Sequence, residues 1–413
     1  MAIIHTITAR EILDSRGNPT VEATVMLRNG LTTSASIPSG ASTGRHEAWE
    51  LHDGGKRYAG KGVLKAVHTI EKVIASKLRG VDCRAQKKID YIMIDADGTK
   101  NKRKLGANSI LAVSIACARA AALTIKKPLY FYLNYLAGKP KMQMHLPQPF
   151  FNLLNGGKHA DSKLSFQEFM IVPRMKSFAE NLRVGSEIYH QLKQELHQKY
   201  GKGSTNVGDE GGFAFEKLDH ANEALRLLLK AITNAGYRGK VSLAIDCAAS
   251  ECRKGGRYII DGKAFTTARL INFYLALIKK YPLISLEDPF HQEDFHSFAE
   301  LRSKTRIQIV GDDLTVTNTP RISTAIEKKS CTCLLLKPNQ IGTLTEALAA
   351  AKLARQAGWK LLVSHRSGET EDTFIADLAV GLGAEYCKFG APCRGERTAK
   401  YNQLIRIAEV LRS

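Results

Sequence analysis

The chain has 413 residues, 44% of them hydrophobic and 24% charged, with 60 basic against 40 acidic side chains for a net charge of +20. That length exceeds what one core usually serves, so two domains are expected, and the composition excludes a disordered or fibrous protein. No apolar run approaches the roughly 20 residues of a membrane helix, and the N-terminus shows no basic region followed by a hydrophobic core, so no membrane span or secretory leader is expected and a cytoplasmic location follows by default. Eight cysteines lie mostly within apolar runs without CxxC knuckles, the pattern of buried reduced thiols rather than a zinc site. The basic residues are scattered and carry no nucleic-acid fold signature. An anionic substrate, an RNA or membrane-surface partner and a proteome-wide basic habit all fit them, the last best.

In chain order, residues 3–37 hold strand-like runs separated by the turns Asp14-Ser15-Arg16-Gly17-Asn18-Pro19 and Arg28-Asn29-Gly30, an antiparallel meander. Pro38 to Gly44 is a stretch of small residues between glycines, either a flexible connector or a lid able to fold over an anion. Helical spacing follows over Ile70–Leu78, Gln86–Met93 and the alanine-rich Ala107–Leu123. Residues 1–135 therefore read as a smaller α+β capping domain with a mobile lid at 38–44, and residues 136–413 as an α/β catalytic domain.

In that second domain His159 follows two glycines in a loop, the usual setting of a solvated histidine. Gln167 and Glu168 interrupt a strand-like run, where buried polar groups need partners that a ligand or metal-bound water could supply. Phe178–Tyr200 reads as a long helix, and Gly208-Asp209-Glu210-Gly211-Gly212 follows it. Glycines around the acidic pair let backbone approach a ligand and desolvate the Glu210 carboxyl, which would make it an acid. A simple turn is the other reading. From Val241 onward one pattern repeats six times: a short apolar run stopping on Asp246, Glu287, Asp312, Lys337, Ser364-His365-Arg366 or Lys388, with helical patterns between most runs. This alternation predicts parallel βα units closing into a TIM-like barrel, whose strand ends share one mouth.

The residue types at that mouth suggest its chemistry. Asp246, Glu287 and Asp312 would form an oxygen-only site suited to a cation such as Mg²⁺. Lys337 beside it would have its pKa lowered by that charge and by burial, and would serve as a base with Glu210 as the acid. Such a pairing removes a proton next to a carboxylate. Each acid taken alone could be a helix N-cap or salt-bridge partner, but agreement among strand ends favours catalysis.

Several segments carry a family resemblance: Asp14 to Glu22, Pro38 to Gly44, Gln167-Glu-Phe-Met170, Gly208 to Gly212, Ser285-Leu-Glu-Asp-Pro-Phe290, Gly311 to Asn318, Lys337-Pro-Asn-Gln-Ile-Gly342 and Ser364 to Thr373. Over essentially its whole length the chain resembles the enolases. The resemblance implies reversible, Mg²⁺-dependent dehydration of 2-phosphoglycerate to phosphoenolpyruvate, on a barrel with irregular first units. Asp246, Glu287 and Asp312 would take the role of metal ligands, Lys337 would take the C2 proton, and Glu210 would protonate the departing C3 hydroxyl. His159, Gln167 and Glu168 would line the substrate pocket, and His365, Arg366, Ser367 and Lys388 would hold the phosphate and carboxylate end. Ser42 in the lid would help bind a second Mg²⁺, with Ala41 beside it among the substrate-binding residues. A homodimer or higher homo-oligomer is implied, with Glu22 and Arg397 as an intersubunit pair by analogy. Lys158 and Phe389 depart from the family pattern. The rival expectations are another superfamily member acting on a different carboxylate, and a binding protein for RNA-processing machinery or a cell surface.

Overall fold

The computed structural model describes residues 2–41, 43–138, 144–157 and 162–412. Its first part is the expected meander: β1 (Ile4–Leu13), β2 (Pro19–Leu27) and β3 (Thr32–Ser36) form an antiparallel sheet in that order. The β1–β2 turn is set by Asp14, whose Oδ1 accepts from the backbone N–H groups of Arg16 and Asn18 at 2.8 and 2.9 Å, while Gly17 takes φ +74°. A left-handed residue there favours glycine, which has no Cβ to clash. A helical run follows through α1 (Leu64–His68), a π-helical segment (Thr69–Ile74) and α2 (Ala75–Leu78), then α3 (Gln86–Asp97), α4 (Ala107–Thr124) and α5 (Leu129–Leu136).

Helix α4 corrects one reading of the sequence. By length and composition it is apolar enough to cross a membrane, but 83% of that stretch is buried inside the protein. Its alanines let it pack closely against β2 and β3, where Thr33 Oγ1 donates to the Ala116 carbonyl at 2.8 Å. A helix apolar on all sides is a core helix when protein surrounds it.

The second part is a closed barrel. Its strands are β4 (Gln148–Asn155), β5 (Glu168–Pro173), β6 (Val241–Asp246), β10 (Leu283–Glu287), β11 (Gln308–Gly311), β12 (Cys333–Leu336), β13 (Lys360–Ser364) and β14 (Tyr386–Lys388), in the order β10-β11-β12-β13-β14-β4-β5-β6. Six strand ends match the apolar runs read from the sequence. The exception to parallel order is β5, which is antiparallel to both β4 and β6 and pairs Glu168 with Asp246. An outer layer comprises α6 (Phe178–Tyr200), α7 (Ala221–Asn234), α8 (Thr267–Lys280), α9 (Phe295–Lys304), α10 (Thr319–Glu327), α11 (Leu344–Gln356), α12 (Phe374–Gly381) and α13 (Gly395–Arg412). A small sheet of β7 (Arg253–Lys254), β8 (Arg257–Ile260) and β9 (Lys263–Phe265) sits between β6 and α8 in sequence. Helix starts follow local chemistry: Ser177 accepts from Glu180 N at α6 and Thr343 from Glu346 N at α11, each the Ser/Thr-x-x-Glu signature of a capped N-terminus.

Phe150, Met170, Val172, Ala244, Val310, Cys333, Leu335, Leu362 and Tyr386 form a separate buried cluster drawn from seven of the eight barrel strands, with Ile284 of β10 packed against it. This plug fills the barrel, so polar chemistry is confined to the strand ends. The capping domain docks on the barrel partly through Arg119, whose guanidinium pairs with Asp372 at 2.6 Å. All eight thiols are free and seven are buried, as the sequence implied. Phe389 is wholly buried with its ring 5.8 Å from that of Tyr401, so its bulk serves packing.

Candidate active site

The strand ends converge as expected. A cleft of about 400 Å³ is lined by Gln167, Glu168, Glu210, Asp246, Asp312, Lys337, His365, Arg366, Ser367 and Lys388, together with Ala248, Asp288, Asp313 and Ser364. Glu287 is buried immediately behind, in contact with Lys388. Ser42 and His159 lie outside the described residues.

Glu210 reaches the cleft from the loop between α6 and α7. Phe213 N donates to Leu153 O at 2.8 Å and Asn155 N to Phe213 O at 2.9 Å, which staples this loop to the end of β4. Gly211 takes φ +83°, and a Cβ at Gly390 would lie 2.7 Å from the Glu210 carbonyl, so both glycines are required by close backbone approach. Asn152 Nδ2 donates to Glu210 Oε2 at 2.9 Å, and His365 Nε2 lies 3.3 Å from the same oxygen. His365 is thus the neighbour of the expected acid rather than only a phosphate contact.

The charges pair differently from the sequence expectation. Lys388 Nζ sits 2.8 Å from Glu287 Oε1 and 3.3 Å from both Asp246 and Glu168. Lys337 Nζ sits 2.6 Å from Asp312 Oδ2, and Gln340 Nε2 donates to Asp312 Oδ1 at 2.8 Å. Asp246, Glu287 and Asp312 are therefore divided between two ammonium groups. Among the described residues, the acid and histidine trios whose ligand atoms come within 4.8 Å of one another are Glu168–Glu210–His365 and Asp288–Asp312–Asp313. The reason is local: each buried carboxylate takes the nearest buried ammonium as counter-charge.

Lys337 is also not depressed. Burial works hardest to lower its pKa, but the surrounding acids, Asp312 first and Glu287 with it, together hold the amine above its ordinary range. For Asp312, burial pushes up and the Lys337 charge pulls down, leaving the carboxyl below its usual value. Burial, then the Glu210 charge, pushes Glu168 well up; burial, then Asp246, does the same for Glu287. Burial, then Asp313, raises Asp288, and burial, then Asp312, brings Asp313 up to about 8. The acids exceed the positive charge that Lys337, Lys388 and Arg366 supply, and Arg366 is already claimed by Glu47 at 2.9 Å. An oxygen-only donor set with more buried carboxylates than nearby ammonium and guanidinium groups fits a divalent cation, which would supply the missing charge.

The lid is held down on the barrel. Ser39 and Gly368 exchange two backbone hydrogen bonds of 2.8 and 2.9 Å, and Ala41 N donates to Ser367 Oγ at 2.6 Å. A Cβ on Gly40 would fall 1.9 Å from Arg366 Nη2, so only glycine lets the lid cross the guanidinium.

Three groups escaped sequence reasoning although two lay inside quoted segments. Asp288 accepts from Asp312 N at 3.0 Å and from Asp313 N at 2.6 Å, fixing the loop that carries both acids. Gln340 orients Asp312, and Asn152 addresses Glu210. Residues around them are strained: Asp288 has φ +39° and Val316 φ +43°, the latter rare for a β-branched residue. Arg397, expected at a subunit contact, is wholly buried and donates to the carbonyls of Arg366, Ser367 and Asp209. It therefore cannot reach across an interface, and Glu22 is engaged by Arg10 and Ser36 within the chain.

A family model described as the enolase C-terminal TIM barrel domain matches residues 143–413, and one for the enolase N-terminal domain matches residues 4–133. Over 409 residues, 99% of this chain and 95% of the relative, the sequence is 54% identical to the enolase of Methanocaldococcus jannaschii.

Proposed function

The chain belongs to the enolase family and is a hydro-lyase that interconverts 2-phosphoglycerate and phosphoenolpyruvate, and from that premise we propose how its residues divide the work. Lys337 takes the C2 proton and Glu210 delivers a proton to the C3 oxygen as it leaves as water. The observation that carries this reading is that Lys337 and Glu210 line one cleft with a surplus of buried carboxylates.

Lys337 removes a proton only as a neutral amine. Burial favours that form and Asp312 opposes it, so the amine becomes a base once the Asp312 charge is engaged by something else. The divalent metal implied by the family would be Mg²⁺ held by Asp246, Glu287 and Asp312, with a second ion near Ser42, and would supply positive charge against the extra negative charge that C2 deprotonation places on the substrate carboxylate. Lys388, an ammonium that burial works to lower but the surrounding acids, Glu168 and Glu287 first, keep well above its ordinary range, opposes the same charge. Gln167 and Glu168 orient the substrate beside Asp246, and His159 joins them. Arg366, Ser367 and the Ala41 backbone grip the phosphate end, with the lid excluding water.

The test is growth of phosphoenolpyruvate absorbance from 2-phosphoglycerate, abolished by chelator and restored by Mg²⁺. Lys337→Ala should end exchange of the C2 proton with solvent and lower turnover at least about 100-fold. Glu210→Gln should retain exchange and lose dehydration. Equal loss of exchange in both variants would reverse these assignments.

A further inference from the structure

One buried cation has no part in the scheme above. Arg397, near the start of α13, has Nη1 2.6 Å from the Arg366 carbonyl, and its Nη2 donates to the carbonyls of Ser367 and Asp209 at 2.6 and 2.9 Å. Its Nη1 also lies 2.5 Å from His365 Nδ1. A guanidinium has donors and no acceptor, so Nδ1 meets it with a lone pair. Burial, opposed by Glu210 and reinforced by Arg397, holds His365 down at about 3, so the ring is neutral at working pH. A neutral imidazole has one ring proton, which then resides on Nε2. That nitrogen is buried, faces Glu210 Oε2 at 3.3 Å and makes no conventional hydrogen bond among the described residues. The contact is long, which leaves the N–H able to address a substrate oxygen held beside Glu210.

We propose that Arg397 is a positioning residue: by donating to Nδ1 it locks His365 in the Nε2–H tautomer, so that the imidazole offers a proton donor to the Glu210 carboxyl and to the oxygen leaving C3. The opposite tautomer would turn a lone pair toward Glu210 and leave Nδ1–H against a guanidinium that cannot accept it. This inference rests on the assignment of Glu210 to the C3 oxygen, while the tautomer itself is independent of that assignment.

Nitrogen-15 spectra of the full-length protein labelled at histidine read the tautomer directly, with the His365 signals identified by their loss in His365→Gln. A bare Nδ1 and protonated Nε2, unchanged from pH 6 to 8, are expected. A proton on Nδ1, or a doubly protonated ring in that range, overturns the proposal even if every Arg397 variant fails to fold. In Arg397→Met, dehydration should fall about 100-fold while C2 exchange stays within about threefold of wild type, and His365 should begin to titrate. Arg397→Lys, which also only donates, should recover part of the loss. Equal loss of exchange and dehydration in Arg397→Met would show a structural role only. If Glu210→Gln keeps full dehydration, the assignment of Glu210 fails while the tautomer result stands separately.

Discussion

Replacing Lys388 by methionine tests how the mouth tolerates its own charge. The substitution keeps the length of the side chain but removes an ammonium that lies 2.8–3.3 Å from Glu287, Asp246 and Glu168, all buried. Removing one partner of a buried ionic group typically costs about 3–5 kcal/mol, because the survivors lose their counter-charge. The cost depends on pH in a defined sense. Burial, then neighbouring acids, raises Glu168 and Glu287 well above the ordinary carboxylate range, with Lys388 pulling the other way. A group that binds its proton more tightly when folded destabilises the fold as pH climbs from its unfolded pKa, about 4.3, toward its folded one. Losing Lys388 extends that interval upward, and each carboxylate inside it costs about 1.4 kcal/mol per pH unit. Lys388, whose own pKa is raised, stays protonated throughout and adds no slope below its unfolded value of about 10.4. Urea denaturation in chelator should therefore show a deficit for Lys388→Met that widens as pH rises through the raised range of these carboxyls up to pH 8. A variant as stable as wild type at pH 8, or a deficit flat across that range, would refute the reasoning.

Gly40→Ala should lift the lid, since its methyl would meet an Arg366 pinned by Glu47 and Asn339. An overpacking cost of about 1–3 kcal/mol should appear as a KM for 2-phosphoglycerate raised by about 5- to 150-fold, and an unchanged KM would count against the seating of this loop. Arg119→Met should weaken the docking of the capping domain by about 3–5 kcal/mol, read as earlier thermal unfolding and faster cleavage by protease. Burial pushes Asp372 up, but Arg119 together with the Ser36 and Phe374 N–H groups holds it below its usual value. Its contribution is thus present above the unfolded pKa of about 3.9 and fades as pH falls below it, so the deficit of Arg119→Met should shrink below pH 4.

The sequence made the architecture legible where a local pattern carries it. Each βα unit from Val241 onward announces itself as an apolar run, a polar stop and a helix, and Phe178–Tyr200 has both its capping serine and its closing glycine in view. The reversal of β5 is not in the apolar pattern, because strand direction relative to neighbours leaves no mark in the order of apolar residues; the family resemblance alone points to irregular first units. At the mouth, membership in the cleft could be read from strand-end position, but pairing could not. Whether Asp312 faces a cation or Lys337, and whether His365 meets substrate or Glu210, depends on side chains far apart in the chain. The same holds for Arg397: a basic residue on a C-terminal helix looks like surface until its neighbours prove to be three inward-facing carbonyls.

The backward stave in this barrel has an architectural consequence. Because β5 points the other way, its first residue rather than its last arrives at the rim, and Asn155 and Glu168, the two ends of the β4–β5 connection, both stand where the chemistry is. The link that leaves β5 toward α6 emerges at the far end. Changes to the β4–β5 connection therefore start from the reacting end of the barrel, whereas insertions after Pro173 stand at the opposite end, with the plug between them and the reaction.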